Sequence, residues 1–134
     1  MDYEIVFDGG SKNNGSSNAD AYGSYRLSAG PRSEIKRLQF PTGTTNNAAE
    51  YQALIEALED LIARIQMAGR DPKEFTVQVW GDSQLVINQV KGDWKSKNAS
   101  LRSLRDQIRM RIDKFKEVQL HWHPREKSVA ILGH

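Results

Sequence analysis

Cysteine is absent from the 134 residues of this chain. That absence excludes disulfides, thiolate metal sites and a cysteine nucleophile, and it fits a reducing cytoplasm, the compartment expected here. Long apolar runs are missing as well. No stretch approaches the ~20 residues of a membrane span, so no membrane partner is expected. The opening Met1-Asp2-Tyr3-Glu4 carries acids where a secretion signal would carry a basic region and an apolar core, so export is not expected either. Net charge is scarce: a formal +2 at pH 7 is too small by itself to argue for nucleic acid. Internal repeats and low-complexity segments are also lacking.

What is present is the mixture of an ordinary globular domain, 38% hydrophobic and 27% charged. A chain of this length buries roughly two-thirds of its unfolded surface, enough for one core without staples. A single domain over residues 1–134, acting as a monomer, is the expectation.

Three acids stand out because three separate elements each carry one. Asp8 closes the extended run Tyr3-Glu4-Ile5-Val6-Phe7 and precedes Gly9-Gly10-Ser11. Glu50 shares a helical stripe with Leu54, Ala57, Leu58, Leu61 and Ile65, so it faces the protein. Asp82 closes the run Phe75 to Gly81 and introduces the helical segment from Ser83. Acids held together raise one another's pKa and stay ionised at neutral pH only if something positive sits between them. A divalent metal is the simplest answer. Each acid alone also has a structural explanation: Asp8-Gly9-Gly10 as a turn, Asn47 with Glu50 as a capping box, and Asp82 as a helix cap.

The remaining periodicities give a coarse order. After the first strand come strands over 21–27 and 34–40, joined by the turn Ala29-Gly30-Pro31-Arg32. A helix capped by Asn47 runs to about Met67, followed by a strand from Phe75 to Trp80. A short helix extends from Ser83 to Lys91, and a longer one from Asn98 to Lys114 carries Leu101, Leu104, Ile108 and Ile112 on one stripe. Val118, Leu120 and Trp122 alternate as a fifth strand that Pro124 ends, with His121 and His123 together on the other face as half-exposed sheet residues. The order β-β-β-α-β-α-α-β predicts an α/β fold, a mixed sheet with helices on its faces. Charge is uneven within that order, since Lys91, Lys95, Lys97, Arg102, Arg105, Arg109 and Arg111 cluster.

The chain resembles the type 1 ribonuclease H family in four segments taken in order. They are Phe7-Asp8-Gly9-Gly10-Ser11 with Asn14-Gly15, then Thr45-Asn46-Asn47-Ala48-Ala49-Glu50, then Gly81-Asp82-Ser83-Gln84-Leu85-Val86, and last Lys91 to Lys95 through the basic helix to Trp122-His123-Pro124-Arg125-Glu126-Lys127. The resemblance implies a five-stranded mixed sheet flanked by helices. It also implies an endonuclease that hydrolyses the RNA strand of RNA/DNA hybrids, leaving 5′-phosphate and 3′-hydroxyl ends. By that likeness two Mg2+ or Mn2+ ions lie among Asp8, Glu50 and Asp82, which suits hard cations that take oxygen ligands. The same likeness assigns substrate contacts to Gly9, Gly10, Asn14, Asn47 and Gln84 on the RNA side. It assigns Thr45, Trp94, Lys95 and Lys97 to the DNA strand.

The sequence departs from the family at its end. The stretch Arg125 to His134 contains no aspartate where a fourth carboxylate is usual, and the final helix is expected to be missing or rudimentary. His134 is the expected substitute, because neutral imidazole is a common metal ligand. Ser128 offers only a weak hydroxyl, and Glu126 lies too near the strand end. The basic insertion of some members is also lacking. Two alternatives stay open: a non-catalytic hybrid-binding module, or another nuclease of the same superfold.

Overall fold

A computed structural model of the chain describes residues 2–133. The alternation in the first run produces β1, Tyr3–Lys12, whose Ile5 and Phe7 enter the main core while Val6 is buried on the other face. The hairpin follows as β2, Asp20–Ala29, and β3, Arg32–Gln39, turning at Gly30, where φ is +60°. Next come α1, Asn46–Met67, and β4, Thr76–Gly81, separated by a single 3-10 turn at Pro72–Glu74. The rest is α2, Gln84–Lys91; α3, Ala99–Ile112; β5, Glu117–Trp122; and α4, Arg125–Leu132.

The five strands form one mixed sheet in the order β3-β2-β1-β4-β5. β1, β2 and β3 pair antiparallel, whereas β4 runs parallel to both β1 and β5. α1 lies across β1 and β2, and its stripe Leu54, Leu58, Leu61 and Ile65 is buried there. Each such side chain contributes about 1.5–3 kcal/mol relative to an exposed one. α3 packs on α1, and α4 packs against β1 and β2. Among the described residues no helix is long and apolar enough to cross a membrane.

Two local expectations are corrected. Asp8 does not end a strand: β1 continues to Lys12, paired with β2 throughout, but its pairing with β4 stops at Phe7 opposite Gly81. The sheet therefore forks at Asp8. Gly9 and Gly10 make no turn. A Cβ on Gly9 would stand 2.6 Å from the Ala49 carbonyl carbon and oxygen, and one on Gly10 would stand 2.5 Å from the Tyr22 hydroxyl. The glycines are thus matched to the close approach of α1 and Tyr22.

The cap of α1 is Thr45, not Asn47. The Thr45 hydroxyl accepts from the Ala48 N–H, and the side-chain carbonyl of neighbouring Asn46 accepts from Ser11 N–H, fastening this end of α1 to β1. The Asn47–Glu50 capping box does not form, which leaves the Glu50 carboxylate for another use. Likewise Ser83 caps α2 by accepting from Val86 N–H, so Asp82 is not the cap. The terminal helix is present but short, at eight residues.

Candidate active site

The fork sets the site. Asp8 projects from β1 where β4 has parted from it, Asp82 follows the last residue of β4, and Glu50 comes from the second turn of α1. One oxygen from each of the three carboxylates lies within 4.8 Å of the other two. Asp8 is wholly buried and Glu50 is 6% exposed. Burial, followed by the charges of Asp8 and Asp82, pushes the Glu50 carboxyl up to about 9, against smaller downward pulls from Arg125 and the Gly9 N–H. Glu50 Oε2 is buried with no hydrogen-bond partner.

Arg125 is the residue that sequence reasoning missed. Its Nη1 lies 3.5 Å from Asp8 Oδ1 and 3.4 Å from Asp82 Oδ2, while more than half of the side chain stays open to solvent. The acids hold its guanidinium above the usual pKa, Asp8 most of all. The available signal was a cation just after Pro124 in a segment matching the family. Nothing local says that it folds back over an acid 117 positions away. Trp122 is a second omission, since its indole N–H donates to the Asp82 carbonyl at 3.0 Å and steadies that bend.

The other expected residues are distributed around this centre. Asn14 accepts from Asn46 N–H through its side-chain oxygen at 2.7 Å, bracing the start of α1 beside Thr45. Asn47 and Gln84 are exposed in the first turns of α1 and α2. Trp94, Lys95 and Lys97 are exposed in the loop joining α2 to α3. His134 lies outside the described residues. Within them, the group able to hold a cation consists of Asp8, Glu50 and Asp82.

The histidine expectation is corrected for one ring. His123 is buried, its Nε2 is 2.8 Å from the Ser128 hydroxyl, and burial pushes its pKa down. The pattern placed His121 and His123 on one face correctly: both stack on Trp80, with centroids 4.4 and 5.9 Å away. α4 covers the second, and the first remains only partly buried. Ser128, buried against His123, has no part in the acidic cluster, and Glu126 is exposed.

A model of the reverse transcriptase-like family matches residues 6–131. The chain belongs to that family, which here means the type 1 ribonucleases H. The Bifunctional protein Rv2228c of Mycobacterium tuberculosis is 30% identical over 129 residues, covering 96% of this chain and 33% of its own. The chain thus spans about a third of the length of the curated relatives it matches first. The crystal structure of LC11-RNase H1 in complex with an RNA/DNA hybrid superposes with a TM-score of 0.79 at 28% identity, covering 96% of this chain and 89% of that one. RNase H1 of Halobacterium salinarum gives a TM-score of 0.73 at 28% identity, covering 97% and 92%. The chain therefore has the ribonuclease H fold.

The donor set fits a divalent cation. All three side chains offer hard oxygen ligands, and Glu50 Oε2 is a buried acceptor with nothing to accept from. A proton held on Glu50 is the metal-free way of satisfying this cluster.

Proposed function

We propose that this ribonuclease H family member is a metal-dependent endonuclease that hydrolyses the RNA strand of RNA/DNA hybrids, leaving 5′-phosphate and 3′-hydroxyl ends, in a reducing cytoplasm. The observation that carries the proposal is the convergence of three carboxylates within 4.8 Å at the fork of the sheet. The hybrid bound by the similar LC11 enzyme supports the substrate class. Asp8, Glu50 and Asp82 would hold Mg2+ or Mn2+. Two such ions, when bound, supply a water of lowered pKa and neutralise charge on the leaving oxygen.

The chain's own residues do the rest. Asp8 and Asp82 place negative charge beside Glu50 at the fork, where Asp8 and Glu50 are buried. Arg125 stands at the rim with its guanidinium over two of them. In the free protein it offsets their repulsion, and it offers its exposed donors to an arriving phosphate. Thr45, with its hydroxyl oxygen committed to Ala48 N–H, still has a proton to give to a phosphate. Asn47 and Gln84, exposed on either side, suit the 2′-hydroxyls of the RNA strand. His134 remains the proposed fourth ligand.

A labelled hybrid, compared with duplex RNA, duplex DNA and single-stranded RNA in magnesium, manganese or chelator, tests this. Cleavage confined to the RNA of the hybrid and abolished by chelator is expected; cleavage that persists in chelator overturns the metal. One observation favours a second reading, a hybrid-binding module without turnover: no fourth carboxylate joins the cluster among the described residues, and a guanidinium stands there instead. Tight hybrid binding with no cleavage in either metal would select it.

The exposed lysines give a separate expectation. Lys95→Ala with Lys97→Ala should weaken hybrid binding and lower the salt slope of log K by about two, one for each phosphate that is no longer neutralised. Titrations across salt concentration check it, and an unchanged slope removes the loop from the interface.

A further inference from the structure

α3 is rich in arginine, and an exposed run of that kind ordinarily marks phosphate contacts. Here two of the arginines face inward to backbone carbonyls at the two ends of one loop. The loop runs from Gly92 to Asn98, has no regular structure, and carries Trp94, Lys95 and Lys97. At its start Gly92 caps α2 with φ of +91°, and the Asp93 and Trp94 N–H groups both donate to the Asn88 carbonyl, at 2.9 and 3.1 Å. Arg109 donates from Nε to the Val90 carbonyl at 3.2 Å and from Nη2 to the Gln89 carbonyl at 3.1 Å. Those are last-turn oxygens of α2; the Gln89 carbonyl also accepts from the capping Gly92 N–H at 3.2 Å, and Arg109 adds a second donor to it. At the far end Arg102 Nη1 donates to the carbonyls of Ser96 and Lys97, at 3.2 and 2.9 Å. Ser96 is buried, whereas Trp94 is 44% exposed.

The fastening continues to the acids. The side chain of Gln89, whose carbonyl Arg109 holds, accepts a buried 2.5 Å hydrogen bond from the Tyr51 hydroxyl. Tyr51 follows Glu50 directly on α1. One connected path therefore links the loop through Arg109 and Gln89 to the helical turn bearing a site carboxylate.

We infer that Arg102 and Arg109 are positioning residues that fix the Gly92–Asn98 loop, so that Trp94, Lys95 and Lys97 meet the DNA strand of a hybrid in register with the carboxylates. The inference rests on the hybrid reading above. The two arginines act through geometry. Arg109 uses separated nitrogens of one planar guanidinium to reach consecutive carbonyls, which the single ammonium of lysine cannot reproduce. Charge at these two positions is incidental.

The test is Arg102→Lys and Arg109→Lys beside Arg102→Gln and Arg109→Gln, with melting curves confirming that each variant folds. Arg109→Lys, Arg109→Gln and Arg102→Gln should raise KM for the hybrid by about tenfold, equivalent to about 1.4 kcal/mol, while kcat stays near the wild-type value; Arg102→Lys, where one ammonium replaces the single Nη1 donor, should stay near wild type. The salt slope of hybrid binding should not change. Amide exchange of residues 93–97 in the first three variants, measured without nucleic acid, should accelerate by a similar factor. Wild-type KM in Arg109→Lys or in Arg102→Gln, or a slope lower by about one per arginine, would overturn the inference. A fall in kcat at constant KM would overturn it too. Unaltered exchange in variants of a protein that binds hybrid defeats the anchoring alone. Faster exchange in the variants of a protein that shows no hybrid affinity defeats the hybrid reading, and with it the loop's binding role.

Discussion

Asp8→Asn and Asp82→Asn should each lower turnover on a hybrid by about a thousandfold or more, roughly 4 kcal/mol of transition-state stabilisation. The substitution exchanges one carboxylate oxygen for an amide nitrogen at nearly constant volume, so no cavity opens. The Asp8 backbone stays paired with Ser24 in the sheet, and the Trp122 contact to Asp82 is made by the main chain, so neither depends on the side-chain charge. Removing one charge from a repulsive cluster also relieves strain, and the variants should melt no lower than wild type in chelator. Single-turnover cleavage with circular dichroism on the same samples separates chemistry from folding. Wild-type cutting by either variant would remove that acid from the site.

The second large effect is on stability. Glu50 has a folded pKa of about 9 against a reference of 4.5, so the folded chain holds a proton that the unfolded chain gives up. Its contribution is complete below the unfolded value and is lost as pH rises through about 9. In that window the metal-free protein should lose up to about 1.4 kcal/mol per pH unit from this group. Glu50→Gln keeps the neutral form at every pH. It should flatten the profile and raise stability by about 1–3 kcal/mol at pH 8, while turnover collapses. Urea unfolding at pH 5, 7 and 9 in chelator reads this directly; parallel wild-type and Glu50→Gln profiles would mean that the carboxyl is not protonated in the fold.

Much of the fold was legible because it depends on local period. The alternation of β1, the stripe of α1 from Leu54 to Ile65 and the Gly30-Pro31 turn are each readable over a few residues, and each stands where expected. What escaped depends on partners far along the chain. Asp8-Gly9-Gly10 has the composition of a turn, yet the glycines serve contacts with Ala49 and Tyr22, which no local window contains. Thr45 and Asn47 are both good caps, and the choice between them accompanies a cross-link from Asn46 to Ser11. The basic run of α3 was legible only as a cluster of charge, because the carbonyls that Arg102 and Arg109 hold are tertiary partners. Arg125 was hidden for the same reason. Asp8 and Asp82 were picked out at the ends of extended runs and Glu50 on the inward stripe of a helix, and the fold brings them together. What completes their shell lies beyond that geometry.

The fork at Asp8 makes the three carboxylates unequal in compliance. β1 is laced to β2 on one side as far as Lys12, so the main chain under Asp8 can hardly shift without breaking that ladder. Asp82 hangs from a bend secured by one indole, and Glu50 rides on a helix end fastened by Asn46, Asn14 and Thr45. Adjustment to guests of different radius therefore falls on the bend and the helix end, with β1 as the fixed datum from which the other two are displaced.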